Sequence, residues 1–79
     1  MKIPDEIIDH FGADAVTAII AGGAQRVRES LMTIDGNGTP NLRLRATEIL
    51  IGASEAFWRG DEIEIGPGVI LVRDHGGAS

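Results

Sequence analysis

A chain of 79 residues with no cysteine can rely on neither disulfides nor thiolate metal sites, and a core this small is marginal without a further staple. Twelve acids against seven bases leave a net charge of −5, which argues against a general nucleic-acid footprint and favours an electropositive partner. Self-association is the staple that remains, and the composition predicts a homodimer.

Aromatic residues are confined to Phe11, Phe57 and Trp58, so the core must be aliphatic. His10 and His75 lie far apart, with no second ligand at metal spacing, and no cofactor is expected. Met1-Lys2 is followed at once by Pro4, Asp5 and Glu6, which is no secretory leader. The longest uncharged run, Ala15 to Gln25, is too short to span a bilayer. The expected location is the cytoplasm of a host cell. Ala-, Gly- and Arg-rich, Lys-poor usage suits a GC-rich phage or bacterial genome.

Ile3 to Gly12 reads as a short helix. Pro4 suits its first position, Asp5 and Glu6 favour the positive end of its dipole, and Gly12 suits its end. Ile7, Ile8 and Phe11 share a face. Ala13 to Thr33 follows as a second helical region. Val16, Ile20, Ala24, Val27, Leu31 and Ile34 recur at helical spacing across Gly22-Gly23. Because the stripe keeps its phase, the expectation is one kinked helix, although a break into two is the alternative.

Asp35 to Pro40 is a turn, with Thr39 a candidate N-cap. Its DGNG string fails as a calcium loop, because Leu44 falls where a bidentate Glu is required. Pro40 to Arg59 is the longest helix. Leu42, Ala46, Ile49, Leu50, Ala53 and Phe57 form its core face. Leu44, Ile51 and Trp58 recur every seven residues on the opposite side. Arg43, Thr47 and Ser54 separate the stripes on one flank, and Arg45, Glu48, Glu55 and Arg59 on the other. Arg45–Glu48 and Glu55–Arg59 are spaced to pair. The second stripe is covered either by the rest of the chain or by another subunit. It is the candidate self-association surface, with Trp58 as anchor.

After Gly60 the sequence alternates. Glu62 to Ile65 reads as a strand with acids out and isoleucines in. Gly66-Pro67-Gly68 predicts a hairpin loop of three or more residues. Val69 to Arg73 is apolar at both parities, so both faces are expected to be covered; an uncapped edge there would be a pairing template. The expected fold is α+β: two or three helices followed by a C-terminal antiparallel β-hairpin, one domain over 1–74, with 75–79 a flexible tail.

Nothing in the chain reads as catalytic. The carboxylates are sequence neighbours on predicted surfaces, and no Ser or Thr has a His and acid in support. One alternative cuts residues 5–31 into helix, turn, helix, with Arg26 and Arg28 toward DNA, as in a small phage regulator. Pro40-Asn41-Leu42-Arg43-Leu44-Arg45-Ala46 and the helix before it resemble the paired helices of HEAT-type repeats, which also occur in small phage packaging proteins. In size, acidity and want of motifs the chain resembles the phage-encoded inhibitors of CRISPR defence. That resemblance implies a non-enzymatic protein that binds a nucleoprotein complex and blocks its DNA-binding surface. Glu48, Glu55, Asp61, Glu62 and Glu64 are then the candidate contacts to the basic groove, with no direct nucleic acid and no membrane involved.

Overall fold

The fold described here is a computed structural model, covering residues 1–35 and 40–73. The expected turn before Pro40, the Thr39 cap and the tail at 75–79 lie outside those residues. Four α-helices precede a two-stranded antiparallel hairpin: α1 (Asp5–Phe11), α2 (Ala13–Ala21), α3 (Val27–Asp35), α4 (Pro40–Arg59), β1 (Ile63–Gly66) and β2 (Val69–Leu71). The fold is therefore α+β.

Pro4 stands just ahead of α1, and its carbonyl accepts from Ile7 and Ile8. Gly12 serves two helices. Its N–H donates to the Ile8 carbonyl at 2.8 Å, and its own carbonyl accepts from Val16 at 3.0 Å. It does so at φ 93°, where a side chain would be strained.

The single kinked helix expected over 13–33 is in fact two. The chain leaves the helix at Gly22, reaches φ 101° at Gly23, and makes a 3-10 turn over Ala24–Arg26 before α3. Positive φ is the reason: no right-handed helix passes through it, whatever the apolar phase on either side. The stripe survives the break, with Val16, Ile20, Val27 and Leu31 fully buried, Ala24 half-buried and Ile34 exposed.

On α4, Ala46, Leu50, Ala53 and Phe57 are buried as expected, and Leu42 and Ile49 are partly so. The buried face is wider than the apolar pattern. Thr47 and Ser54, assigned to an exposed flank, are also buried. Thr47 satisfies its hydroxyl locally, donating to the Arg43 carbonyl at 2.8 Å. Ser54 reaches across to α2, where Oγ donates to the Ile20 carbonyl at 2.7 Å. The expected ion pairs along α4 are not formed. Arg45 instead pairs with Glu6 of α1, and Arg59 with Asp61 at 3.0 Å. Both pairs are exposed and contribute little.

Ile63 and Ile65 point into the core from β1. The hairpin loop is shorter than expected: Gly66 stays in the strand, and Pro67-Gly68 alone make the turn. Pro followed by Gly at φ 73° is the type II combination. Such a turn splays the strands, and a register shift between Glu64 and Gly66 takes up the mismatch. The other edge of β1 carries a pairing the sequence pattern misses. Ile3 donates to the Glu64 carbonyl at 2.9 Å, and Glu64 donates to the Met1 carbonyl at 2.7 Å. The first three residues thus lie parallel to β1 and deliver Ile3, 1% exposed, to the core. Burial was expected on both faces of the second strand, but Val69, Ile70 and Val72 are 55%, 47% and 50% exposed. The outer face of the hairpin, which carries Ile70 and Val72, has no described element packed on it, and Val69 lies at the open end beside the turn, so of the second strand only Leu71 packs against the core.

Replacing Ser54 with Ala should cost about 1 kcal/mol by removing a buried hydrogen bond, which lowers Tm by about 4–8 °C for a domain of this size. Thermal melting by circular dichroism checks this, with the exposed Glu48→Ala as a variant expected to stay within about 0.5 kcal/mol.

Candidate functional site

The C-terminus of α4 fixes where its exposed face meets the hairpin. Gly60, at φ 105°, donates to the Phe57 carbonyl at 3.0 Å, and Asp61 donates to the Ala56 carbonyl at 2.9 Å. This double closure is the Schellman arrangement, and it turns the chain sharply toward β1.

Burial extends through Thr47 and Ser54 on one side of α4, while on the other side Arg45 and Arg59 stay exposed, each in an ion pair with an acid outside α4. Leu44, Glu48, Ile51, Glu55 and Trp58 follow one another at steps of four and three. At about 100° per residue they span an arc of about 80°. Within that arc Leu44, Ile51 and Trp58 form one row and Glu48 and Glu55 a second row directly alongside it. Leu44 is 61% exposed and Trp58 48% exposed, whereas Ile51 is only partly so and leans on the core.

Trp58 has two neighbours. The Phe57 ring meets it edge-on, with centroids 5.3 Å apart at 84°. The Arg73 guanidinium lies 5.8 Å from its centroid. Arg73 Nε is buried and finds no hydrogen-bond acceptor among the described residues, so the indole face is the attractive surface within its reach. The segment after β2 thus folds back over the end of α4 and covers part of the indole. An open groove lined by Gly23, Ala24, Ser54, Glu55 and Trp58 runs beside the strip.

The remaining acids lie elsewhere. Asp61 is engaged by Arg59 at the corner between α4 and β1. Glu64 stands on the outward face of β1, opposite Ile70. Extending that register one step beyond Ile63–Leu71 sets Glu62 beside Val72. The five candidate acids therefore occupy two surfaces, the α4 strip and the outer hairpin face, joined at Asp61. Arg26 and Arg28, the basic residues of the DNA-binding alternative, are exposed around the start of α3, next to the exposed Glu29.

Sequence reasoning found Trp58 but not Arg73 above it, since no local pattern ties two residues across a hairpin. It also placed Ser54 on a solvent flank, although a small hydroxyl between two alanine turns was a hint of close helix packing.

Comparison of the chain with protein-family models, with curated proteins and with solved structures finds no match. Among the described residues no helix is long and apolar enough to cross a membrane.

Trp58 is the chain's one tryptophan, so its fluorescence reads the contact directly. Arg73→Ala should shift the emission to longer wavelength and increase quenching by acrylamide, at a stability cost of about 0.5–1 kcal/mol. An unchanged spectrum would show that Arg73 does not cover the indole in solution.

Proposed function

We propose that this chain is a non-enzymatic binding protein that sets the exposed strip of α4 against an electropositive protein surface. Its target, in this reading, is the DNA-binding groove of a CRISPR-type nucleoprotein complex inside the host cell, and the chain acts there as a phage-encoded inhibitor. The observation that carries the reading is the row of Glu48 and Glu55 that runs directly alongside the row of Leu44, Ile51 and Trp58 on the exposed side of α4.

The physical argument has two parts. An apolar row with a half-exposed Trp supplies contact area of the kind that anchors protein interfaces. The carboxylates alongside it restrict which partner can use that area. A basic groove gains by charge complementarity, while DNA is repelled. Glu62 and Glu64 extend the acidic character onto the hairpin. A symmetric contact of the strip with its own copy would bring Glu48 and Glu55 of both chains to one seam. The strip thus suits a basic partner better than a second copy.

The test uses purified CRISPR surveillance complexes of the multi-subunit and single-effector kinds, with target-DNA binding read by gel shift. The chain should abolish the shifted band of at least one complex. Glu48→Lys with Glu55→Lys should weaken that inhibition at least about tenfold, or about 1.4 kcal/mol. Inhibition of none of them would exclude this target.

The DNA-binding regulator gains one observation. The chain does break at Gly22–Gly23, which puts Arg26 and Arg28 at the head of a separate helix. The acidic balance of the chain opposes it. Retention on heparin or duplex DNA at low salt, lost in Arg26→Ala with Arg28→Ala, would favour the regulator and remove the inhibitor reading. The expected result is no retention.

A further inference from the structure

The sheet has one closed edge and one open edge. On the closed side, the N–H and the C=O of Glu64 both bond to the first three residues. Backbone groups alternate in direction along a strand, so Ile63 must turn its N–H and C=O the other way, toward β2. Ile63 pairs with Leu71. Leu71 therefore turns its own backbone groups inward to β1, and Ile70 and Val72 turn theirs outward. The open edge presents these two residues as a ready ladder.

Natural edges are usually blunted by charge, by proline or by a covering element. From Gly66 to Val72 this segment has no charged residue, and its proline lies in the turn, not in the strand. The side chains of Val69, Ile70 and Val72 are about half exposed, with no described element laid over them.

We propose that β2 pairs with β2 of a second copy of this chain, antiparallel across a two-fold axis at Leu71. In that register Ile70 of each copy exchanges two backbone hydrogen bonds with Val72 of the other. Ile70 and Val72 of both copies then form one continuous apolar row on the outer face, and two short sheets become one. Charge selects this occupant. An acidic chain meets its own copy with least repulsion where it carries no acid, and β2 is such a place. The nearest described acids on the outer face, Glu62 and Glu64, are one strand behind. Glu64 of one copy and Glu62 of the other would stand three strand spacings apart, about 14 Å. That exceeds the screening length of about 8 Å at physiological salt. A basic partner would instead be drawn to the carboxylates of α4 and β1. The interface is small, so association is expected in the micromolar range or weaker. It leaves the α4 strip free and does not depend on the function proposed for it.

Sedimentation velocity across micromolar to millimolar protein tests the pairing. The wild type should move from one chain mass to two. Ile70→Lys, whose new ammonium can pair with Glu64 on its own hairpin, should stay monomeric and folded by circular dichroism. Val72→Pro deletes an outward N–H without touching the β1 ladder and should also stay monomeric. A third readout needs no substitution: the Ile70 and Val72 amides should exchange with deuterium more slowly as concentration rises, while the Met32 amide does not change. A wild type monomeric throughout overturns the proposal. So does a dimer that survives both variants but is lost in Trp58→Ala, which would place the interface on α4. Concentration-independent exchange at Ile70 and Val72 overturns it as well.

Discussion

The hydrogen bond from Ser54 to the Ile20 carbonyl sets how α2 and α4 meet. A helix end leaves carbonyls under-satisfied, and at α2 the break at Gly22–Gly23 leaves the Ile20 carbonyl only a long 3.5 Å bond from the Gly23 N–H in place of a well-formed helical donor. Ser54 supplies one from a separate helix, at 2.7 Å and with no exposure. A contact so short requires the two backbones to come close. Ala46 and Ala53, fully buried on the same helix, make that possible. The polar bond and the small residues are thus one arrangement: close approach, with the broken helix end satisfied by its neighbour.

The width of the buried face on α4 follows from this, and so does the surface left over. If α2 stood further away, Thr47 and Ser54 would be solvated, and the exposed face would be a broad polar one. Instead burial reaches round to both, and solvent keeps an apolar row of Leu44, Ile51 and Trp58 with Glu48 and Glu55 alongside it and the exposed Arg45 and Arg59 beyond them. The Schellman closure at Gly60 then aims the chain so that the hairpin packs Ile63 and Ile65 under the same helices while Arg73 returns over Trp58. The acidic strip and the apolar edge lie on different elements. One chain therefore has separate means of meeting a basic partner and a second copy.

Much of this was legible in the sequence. Helical spacing identified α1, α4 and the residues that α2 and α3 bury, because each has one face on the core and a clear period. The hairpin announced itself by alternation and by Gly-Pro-Gly. What failed was whatever depended on distant partners. Apolar phase continued across Gly22–Gly23, so the pattern could not show that Gly23 takes a positive φ. Ser54 looked like a surface residue because its acceptor is on another helix. Val69 to Val72 looked buried because an apolar strand reads the same whether its cover comes from its own chain, from another, or from neither. Met1 to Ile3 is too short to show any period. Trp58 was correctly singled out, but its partner Arg73 was not, since cation–π contacts leave no spacing rule.

Ile3 and Glu64 are separated by nearly the whole described chain, and β1 is completed only when they meet. The contacts among the helices, by contrast, join elements nearer in sequence, although α1 and α2 also pack on β1. Loop-closure entropy makes the long-range strand pairing the slowest step to become favourable. During synthesis the first three residues must therefore wait, unpaired, until all four helices and β1 have left the ribosome. The parallel seam is thus a late lock on a largely assembled helical body, and the step that closes the β1 edge of the sheet.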